Sequence, residues 1–258
     1  MIRTPRIPVI SPFFFQVGEA GLVAGRTFRA LFQRPFEKRN FVLQLEDIGV
    51  RSLPVVSLTA AFGGLVFGLQ AYIGFHKYVG SGTEVYSGSI IAVGLAKELI
   101  PILVGLMLAG RVGSSMAAEI GTMKITEQVD ALTSLGADPI KHLVAPRMLA
   151  SFIMFPMLTL YGDIIGTFCG FAYNIFGMGV NRAIYLRNTL FYTRIWDIGI
   201  GLIKASVFGI VVAIIGSWQG LRAEGGAEGV GLATTRAVVI ASIIILILNF
   251  FLSKALPN

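Results

Sequence analysis

Charge is what this chain lacks most. Only 14% of its 258 residues are Asp, Glu, Lys or Arg, against roughly a quarter in a soluble domain. None of them lies between Arg51 and His76. Cysteine is nearly absent too: Cys169 is alone, in an apolar stretch, so no internal disulfide can form. The two histidines, His76 at the end of an apolar stretch and His142 in a polar one, are isolated and read as incidental, neither catalytic nor metal-binding. No GxxxxGK[ST] sequence is present, which excludes ATP hydrolysis through a phosphate-binding loop, and HExxH, CxxC and GxSxG are missing as well. The glycine cluster GGAEGVG (225–231) has no strand before it and reads as a flexible loop, not a nucleotide fingerprint. The opening residues MIRTPRIPVISPFFF show no apolar core followed by a small-residue cleavage site, so no cleaved signal peptide is expected.

Hydrophobic residues make up 55% of the chain, and they come in long runs. About 20 mostly apolar residues are needed to cross roughly 30 Å of hydrocarbon. Five segments meet that need: 53–75, 85–110, 148–176, 198–221 and 237–253. The second is interrupted by Lys97 and Glu98, the third by Asp163, the fourth by Lys204. With the N-terminus inside, the inner segments carry fourteen Lys and Arg against five outside, which favours that orientation and puts the C-terminus outside. The net charge of +7 therefore reads as orientation and anionic-headgroup contact, not nucleic-acid binding. The bias is not unanimous, because Arg182, Arg187 and Arg194 fall in an outer loop.

Local patterns add detail. Across 37–53, Glu37, Asn40, Gln44, Asp47 and Arg51 recur at steps of three and four, with Phe41, Val42, Leu45, Ile48 and Leu53 opposite. That predicts an amphipathic helix lying on the membrane surface, the bland alternative being a helix packed on the protein's own loops. Gly162, Gly166 and Gly170, then Gly64 and Gly68, then Ala205, Gly209 and Ala213 place small residues on single helix faces, where backbones can approach closely. Whether those faces meet within one chain or between two is open. Asp163 beside the glycine face has two readings, a catalytic carboxylate or, the favoured one, a hydrogen bond to a neighbouring helix.

Two features call for a function. Ionisable groups at membrane depth are costly and face a wet cavity or a protein interior. Lys97 and Glu98 point about 100° apart on a helix, so one contact cannot hide both. The favoured reading is a polar site in a cavity; the alternative is a structural ion pair, for instance Glu98 with Lys204. The second feature is the loop from Val112 to Pro146. Within it Thr126 is expected to cap a short helix over Glu127–Leu135, with Val129, Leu132 and Leu135 sharing a side and Gly136 followed by Asp138-Pro139 ending it. On the inner side, such a helix suits docking of a cytoplasmic partner.

At KELIP (97–101), LAGRVGSSMAAEIGTMKITEQVDALTSLGADP (108–139), LVAPRMLA (143–150) and ATTRAVV (233–239) the chain resembles the MlaE/YrbE permease family, membrane subunits of MCE-linked lipid ABC transporters in bacteria and plastids. The resemblance covers nearly the whole chain as a single permease domain. Residues Lys97, Glu98, Leu99 and Pro101 satisfy the family's basic-Glu-Leu-x-Pro pattern, and Glu127, Ala131, Gly136 and Pro146 resemble the coupling motif of ABC permeases. It implies an all-α protein of the inner membrane working as a homodimer, with a cytoplasmic ATPase that carries ATP and magnesium, a STAS-domain protein and a periplasmic MCE-domain hexamer as partners. This chain itself would hold no cofactor and catalyse nothing. Phospholipid or a related lipid would be its cargo, moved between the inner membrane and the MCE protein to keep the outer membrane's lipid asymmetry, with Lys97, Glu98 and Leu99 near the headgroup. By the same resemblance Lys204 and Arg236 are further polar positions of the lipid site. Tyr72 and Phe75 are added because they end the first span on that side. Coupling to the ATPase would fall to Glu127, Val129, Asp130, Leu132, Leu135 and Gly136. An ion-coupled secondary transporter is the second reading, but no broken helices recur in matching positions. An intramembrane enzyme is third, and lacks a paired nucleophile and base.

Overall fold

The computed structural model describes residues 10–31, 38–78, 80 and 87–256, and those residues form helices and short connections, with no strand among them. In chain order the helices are α1 (Ile10–Leu31), α2 (Lys38–Gly49), α3 (Leu53–Tyr78), α4 (Ser87–Ile125), α5 (Gln128–Ser134), α6 (Ile140–Gly177), α7 (Arg182–Tyr192), α8 (Ile195–Leu221) and α9 (Gly226–Ala255). Helices α3, α4, α6, α8 and α9 are each long and apolar enough to cross a membrane. The protein is an all-α integral membrane protein. Five crossings put α2 and α5 at one end of the bundle, here the near end, and α7 with the C-terminal turns of α9 at the far end.

The expected 112–146 loop is mostly helix. Apolar charge-free stretches show only where hydrocarbon is crossed, and nothing between Val112 and Ile125 breaks a helix. So α4 runs on for 39 residues, roughly 58 Å at 1.5 Å per residue, and projects beyond the near membrane surface. The segment joining it to α6 is only 126–139. Likewise GGAEGVG is no flexible loop. Gly225 and Gly226 take positive φ (86° and 71°), turn the chain, and α9 begins at Gly226 with Glu228 in its first turn, where the helix dipole favours an acid.

The helices approach closely where side chains are absent, and they do so within one chain. A Cβ on Gly64 would strike the Gly166 carbonyl, and one on Gly68 would crowd Gly170 and Asn174. A Cβ on Gly209 would meet the Ser151 carbonyl. The small-residue faces of α3 and α8 thus both pack on α6, the central helix. Fully buried Asn174 clamps the far end: its Nδ2 donates to the carbonyls of Gly68 (3.2 Å) and Gly170 (2.9 Å), while Ser87 Oγ donates to its Oδ1 (3.1 Å). Asp163 does not behave as expected. It is buried, yet neither carboxylate oxygen has a hydrogen-bond partner among the described residues. Gly162 and Gly166 take the face pressed on Ala60 and Ile100, and Asp163 follows Gly162 about 100° round the helix.

The amphipathic segment forms α2 followed by a 3₁₀ turn, Val50–Ser52, that leads directly into α3. Ile48 is fully buried and Phe41 and Leu45 pack on the core, while Val42, Leu43 and Val50 stay exposed. One apolar side therefore grips the bundle and another faces outward, as a helix at a bilayer surface requires.

Candidate functional site

The site begins with a proline. Pro101 has no N–H to donate and its ring crowds the carbonyl four residues back, that of Lys97. Here α4 widens into a π turn, Leu95–Leu99, of the kind that recurs at functional positions. The Lys97 carbonyl is left for an outside donor, and Lys204 of α8 provides it at 3.0 Å. Glycine makes this approach possible: a Cβ on Gly201, one turn before Lys204, would collide with the Ala96 carbonyl and touch Pro101.

Lys204 is fully buried, and all three protons of its ammonium have acceptors. Besides Lys97 O, Nζ donates to Glu98 Oε1 at 2.7 Å and Ser253 Oγ at 2.8 Å. The other oxygen of Glu98 accepts from Asn249 Nδ2 at 3.3 Å and lies 3.1 Å from Ser253 Oγ. A second pair stands beside the first: Lys97 Nζ is 3.3 Å from Asp197 Oδ1, and Asp197 Oδ2 accepts from the Arg194 backbone N–H at 3.0 Å, capping α8. Two cations and two anions make the cluster neutral. Exposure separates them, since Lys204 is wholly enclosed while 47% of the Glu98 side chain is open. The ion pair Glu98–Lys204 exists, and its acid also faces outward.

The other expected site residues fall in three places. Leu99, about 100° from Glu98, turns to α3 and joins Phe62, Val66, Phe67, Gln70 and Leu103 along an apolar groove of about 480 Å³. Tyr72 and Phe75 sit nearer the far end of α3; Tyr72 stacks on His76 at 5.8 Å and Phe75 lies with Ile90 of α4. Arg236 is exposed on α9, seventeen residues before Ser253, or about 25 Å along the helix. Within this chain it does not reach the cluster. Asn249, Ser253 and Asp197 are the partners that sequence reasoning missed. Asn249 and Ser253, four apart on one face of α9, were the available signal.

At the near end, the short helix is present but its register differs from expectation. Thr126 does not cap it. The Thr126 hydroxyl bonds back to Thr122 O at 2.8 Å, closing α4, and Glu127 turns the chain with φ 61°, a left-handed conformation uncommon outside glycine. That turn folds α5 back on α4, so Val129 is buried against Ile120 and Leu143 and is not a free contact. Leu132 is half-buried, Leu135 is 84% exposed, and Asp130 pairs with Lys124 at 2.8 Å. Gly136 ends the helix as expected: its φ is 77°, and Ala137 N donates to Leu132 O at 3.0 Å. Nearby, a polar hollow of about 660 Å³ opens under α2, and two ion pairs cross its walls, Arg51 with Asp47 and Arg147 with Glu119. It is larger than the groove beside Leu99, but four of its charged side chains are paired with one another.

Fold and site together define a polytopic membrane protein of the permease class, with charge paired at membrane depth and a docking-sized helix projecting at one end. The family model described as Permease MlaE matches residues 41–255. A "probable ABC transporter permease protein" of Rickettsia conorii is 43% identical over 242 residues, covering 94% of this chain and 92% of its own. The "intermembrane phospholipid transport system permease protein MlaE" of Haemophilus influenzae is 35% identical over 247 residues, covering 93% and 92%. The chloroplastic protein TRIGALACTOSYLDIACYLGLYCEROL 1 of Arabidopsis thaliana is 36% identical over 233 residues, or 90% of this chain and 66% of that one. The chain belongs to the MlaE permease family.

Proposed function

We propose that this chain is the membrane subunit of an ABC transporter that moves phospholipid, and that the open side of Glu98 is where a headgroup meets the protein. One observation carries this reading: a half-exposed carboxylate at membrane depth, held by a lysine that is fully buried. A purely structural pair gains nothing from leaving its acid open, and an isolated charge there is costly. Next to it, the apolar groove along Leu99 suits acyl chains. The Haemophilus relative is named for phospholipid transport, which favours the same cargo.

In this reading two copies pair, the near end is cytoplasmic, and the C-terminus is on the periplasmic side of a bacterial inner membrane. The cytoplasmic ATPase, bearing its STAS-domain partner, meets the exposed side of α5 around Leu135 and Leu132. The MCE hexamer receives lipid at the far end. ATP is hydrolysed on the ATPase, because this chain has no phosphate-binding loop. The test is ATP-driven transfer of a fluorescent phospholipid between vesicles by the reconstituted complex. Transfer should stop when either the ATPase or ATP is omitted, and the isolated chain should hydrolyse no ATP above background. Transfer driven by an ion gradient without ATP would instead favour the secondary-transporter reading.

A further inference from the structure

The basic stretch between the third and fourth crossings enters the site above only through the Arg194 backbone N–H. It folds as α7, capped by Asn181, whose Oδ1 accepts from the backbone N–H groups of Ala183 (3.0 Å) and Ile184 (3.3 Å). One side of α7 is fixed to the bundle. Tyr185 is buried with its ring edge-on to Phe171 at 5.6 Å, and Gly88 at the start of α4 has no Cβ where Tyr185 and Thr189 need the room. Burial pushes the Tyr185 hydroxyl up to about 12, so the phenol stays neutral.

The opposite side is open and strongly apolar. Leu190 is 78% exposed, Phe191 77%, and beyond the turn Ile195 91% and Trp196 56%. So much large apolar surface does not stand in water without an occupant. Its charge is of one sign. Arg182, Arg187 and Arg194 are all exposed, and the sequence holds no Asp or Glu from Asn174 to Trp196. Arg187 lies between Leu190 and Phe191 on the wheel, where an arginine can bury its stem among apolar neighbours and lift its head to a phosphate. The surface is also continuous with the lipid-facing side of α8, since Ile195 and Trp196 open that crossing and Ile203, two turns on, is exposed as well.

We infer that α7 and the α7–α8 corner form an interfacial anchor in the far leaflet, with Leu190, Phe191, Ile195 and Trp196 at the acyl boundary and the three arginines on anionic phospholipid headgroups. Aromatic side chains and arginines at one depth are what the boundary between headgroups and hydrocarbon selects. Asp197 caps α8 immediately after Trp196 and also binds Lys97. The anchor therefore fixes the depth of the Lys97–Asp197 pair relative to the leaflet.

The chain has two tryptophans, which makes the test direct. Trp218 is buried at the other end of α8, so Trp218→Phe leaves Trp196 as the sole fluorophore. The full-length variant is reconstituted into phosphatidylethanolamine vesicles with or without phosphatidylglycerol, using lipids brominated at upper or terminal acyl carbons. Trp196 emission should be blue-shifted and quenched several-fold more by upper-carbon bromine than by terminal bromine, with little quenching by aqueous acrylamide. Adding phosphatidylglycerol should deepen the upper-carbon quenching, and Arg182→Gln with Arg187→Gln should abolish that increment. Acrylamide quenching as for free tryptophan, with no effect of brominated lipid, overturns the inference and assigns this surface to water or a protein partner. Quenching that ignores phosphatidylglycerol overturns the role of the arginines.

Discussion

Lys204 is the residue on which the site turns, because a buried ammonium must keep its acceptors. Removing one partner of a buried ion pair costs on the order of 3 kcal/mol or more, since the remaining charge stays uncompensated. Glu98→Ala would leave Lys204 with two neutral acceptors, the Lys97 carbonyl and Ser253 Oγ. It should lower the melting temperature of the detergent-purified protein sharply. Glu98→Gln keeps an acceptor for Nζ and should lose less. The double variant Glu98→Ala with Lys204→Met removes both charges and should recover much of the loss seen with Glu98→Ala. A double variant no more stable than Glu98→Ala alone would show that charge pairing is not what holds this node. The pair was legible as an alternative in the sequence. Its reason was not, because the freed carbonyl depends on Pro101 and the fit depends on Gly201, a hundred residues away.

Helices carry the next set of expectations. On α3, Gly64 presses the Gly166 carbonyl while Gly74 meets nothing within 4 Å. Gly64→Ala should therefore part α3 from α6 and cost stability, whereas Gly74→Ala should be neutral or slightly stabilising through its better helix propensity. Equal melting temperatures for the two variants would refute the packing account. On α5 the outward residue is Leu135. As a surface change, Leu135→Asp should alter stability by no more than about 0.5 kcal/mol yet reduce co-purification of the ATPase. Val129→Asp should instead destabilise the near end, because that side chain is packed inside. If Leu135→Asp retains stoichiometric ATPase, α5 is not the dock.

These elements also show what sequence periodicity conveys. The crossings were legible because long apolar runs have one physical explanation in a chain this poor in charge. The near-end projections of α4 and α6 were not, because ordinary helix of mixed polarity carries no such mark. Thr126 looked like a cap because its hydroxyl can serve either helix; only the left-handed turn at Glu127 decides that it closes α4. Helix α1 went unread although its sequence is as amphipathic as that of α2; what local periodicity does not supply is its packing partner, the near ends of α6 and α8. Helix α7 was visible as a basic stretch, but its anchoring residue, Tyr185, needs Gly88 nearly a hundred positions earlier.

At the scale of the whole molecule, only one side of α9 is held, by Ala233, Ala237, Ala241 and Ile245. Val239, Ile243, Leu246, Ile247, Phe250 and Phe251 are exposed, offering surface to lipid or to a second copy. The Glu98 node lies between α4, α8 and the far end of α9, so its open side adjoins that surface. The central claim is that this open side holds phospholipid. Native mass spectrometry of the complex, purified in mild detergent, measures it most directly, because it reads subunit composition and bound lipid together. The unaltered complex should retain phospholipid. The Glu98→Ala with Lys204→Met complex should assemble with the same subunits and lose most of that lipid. A double variant that assembles and keeps the full lipid complement would contradict the account.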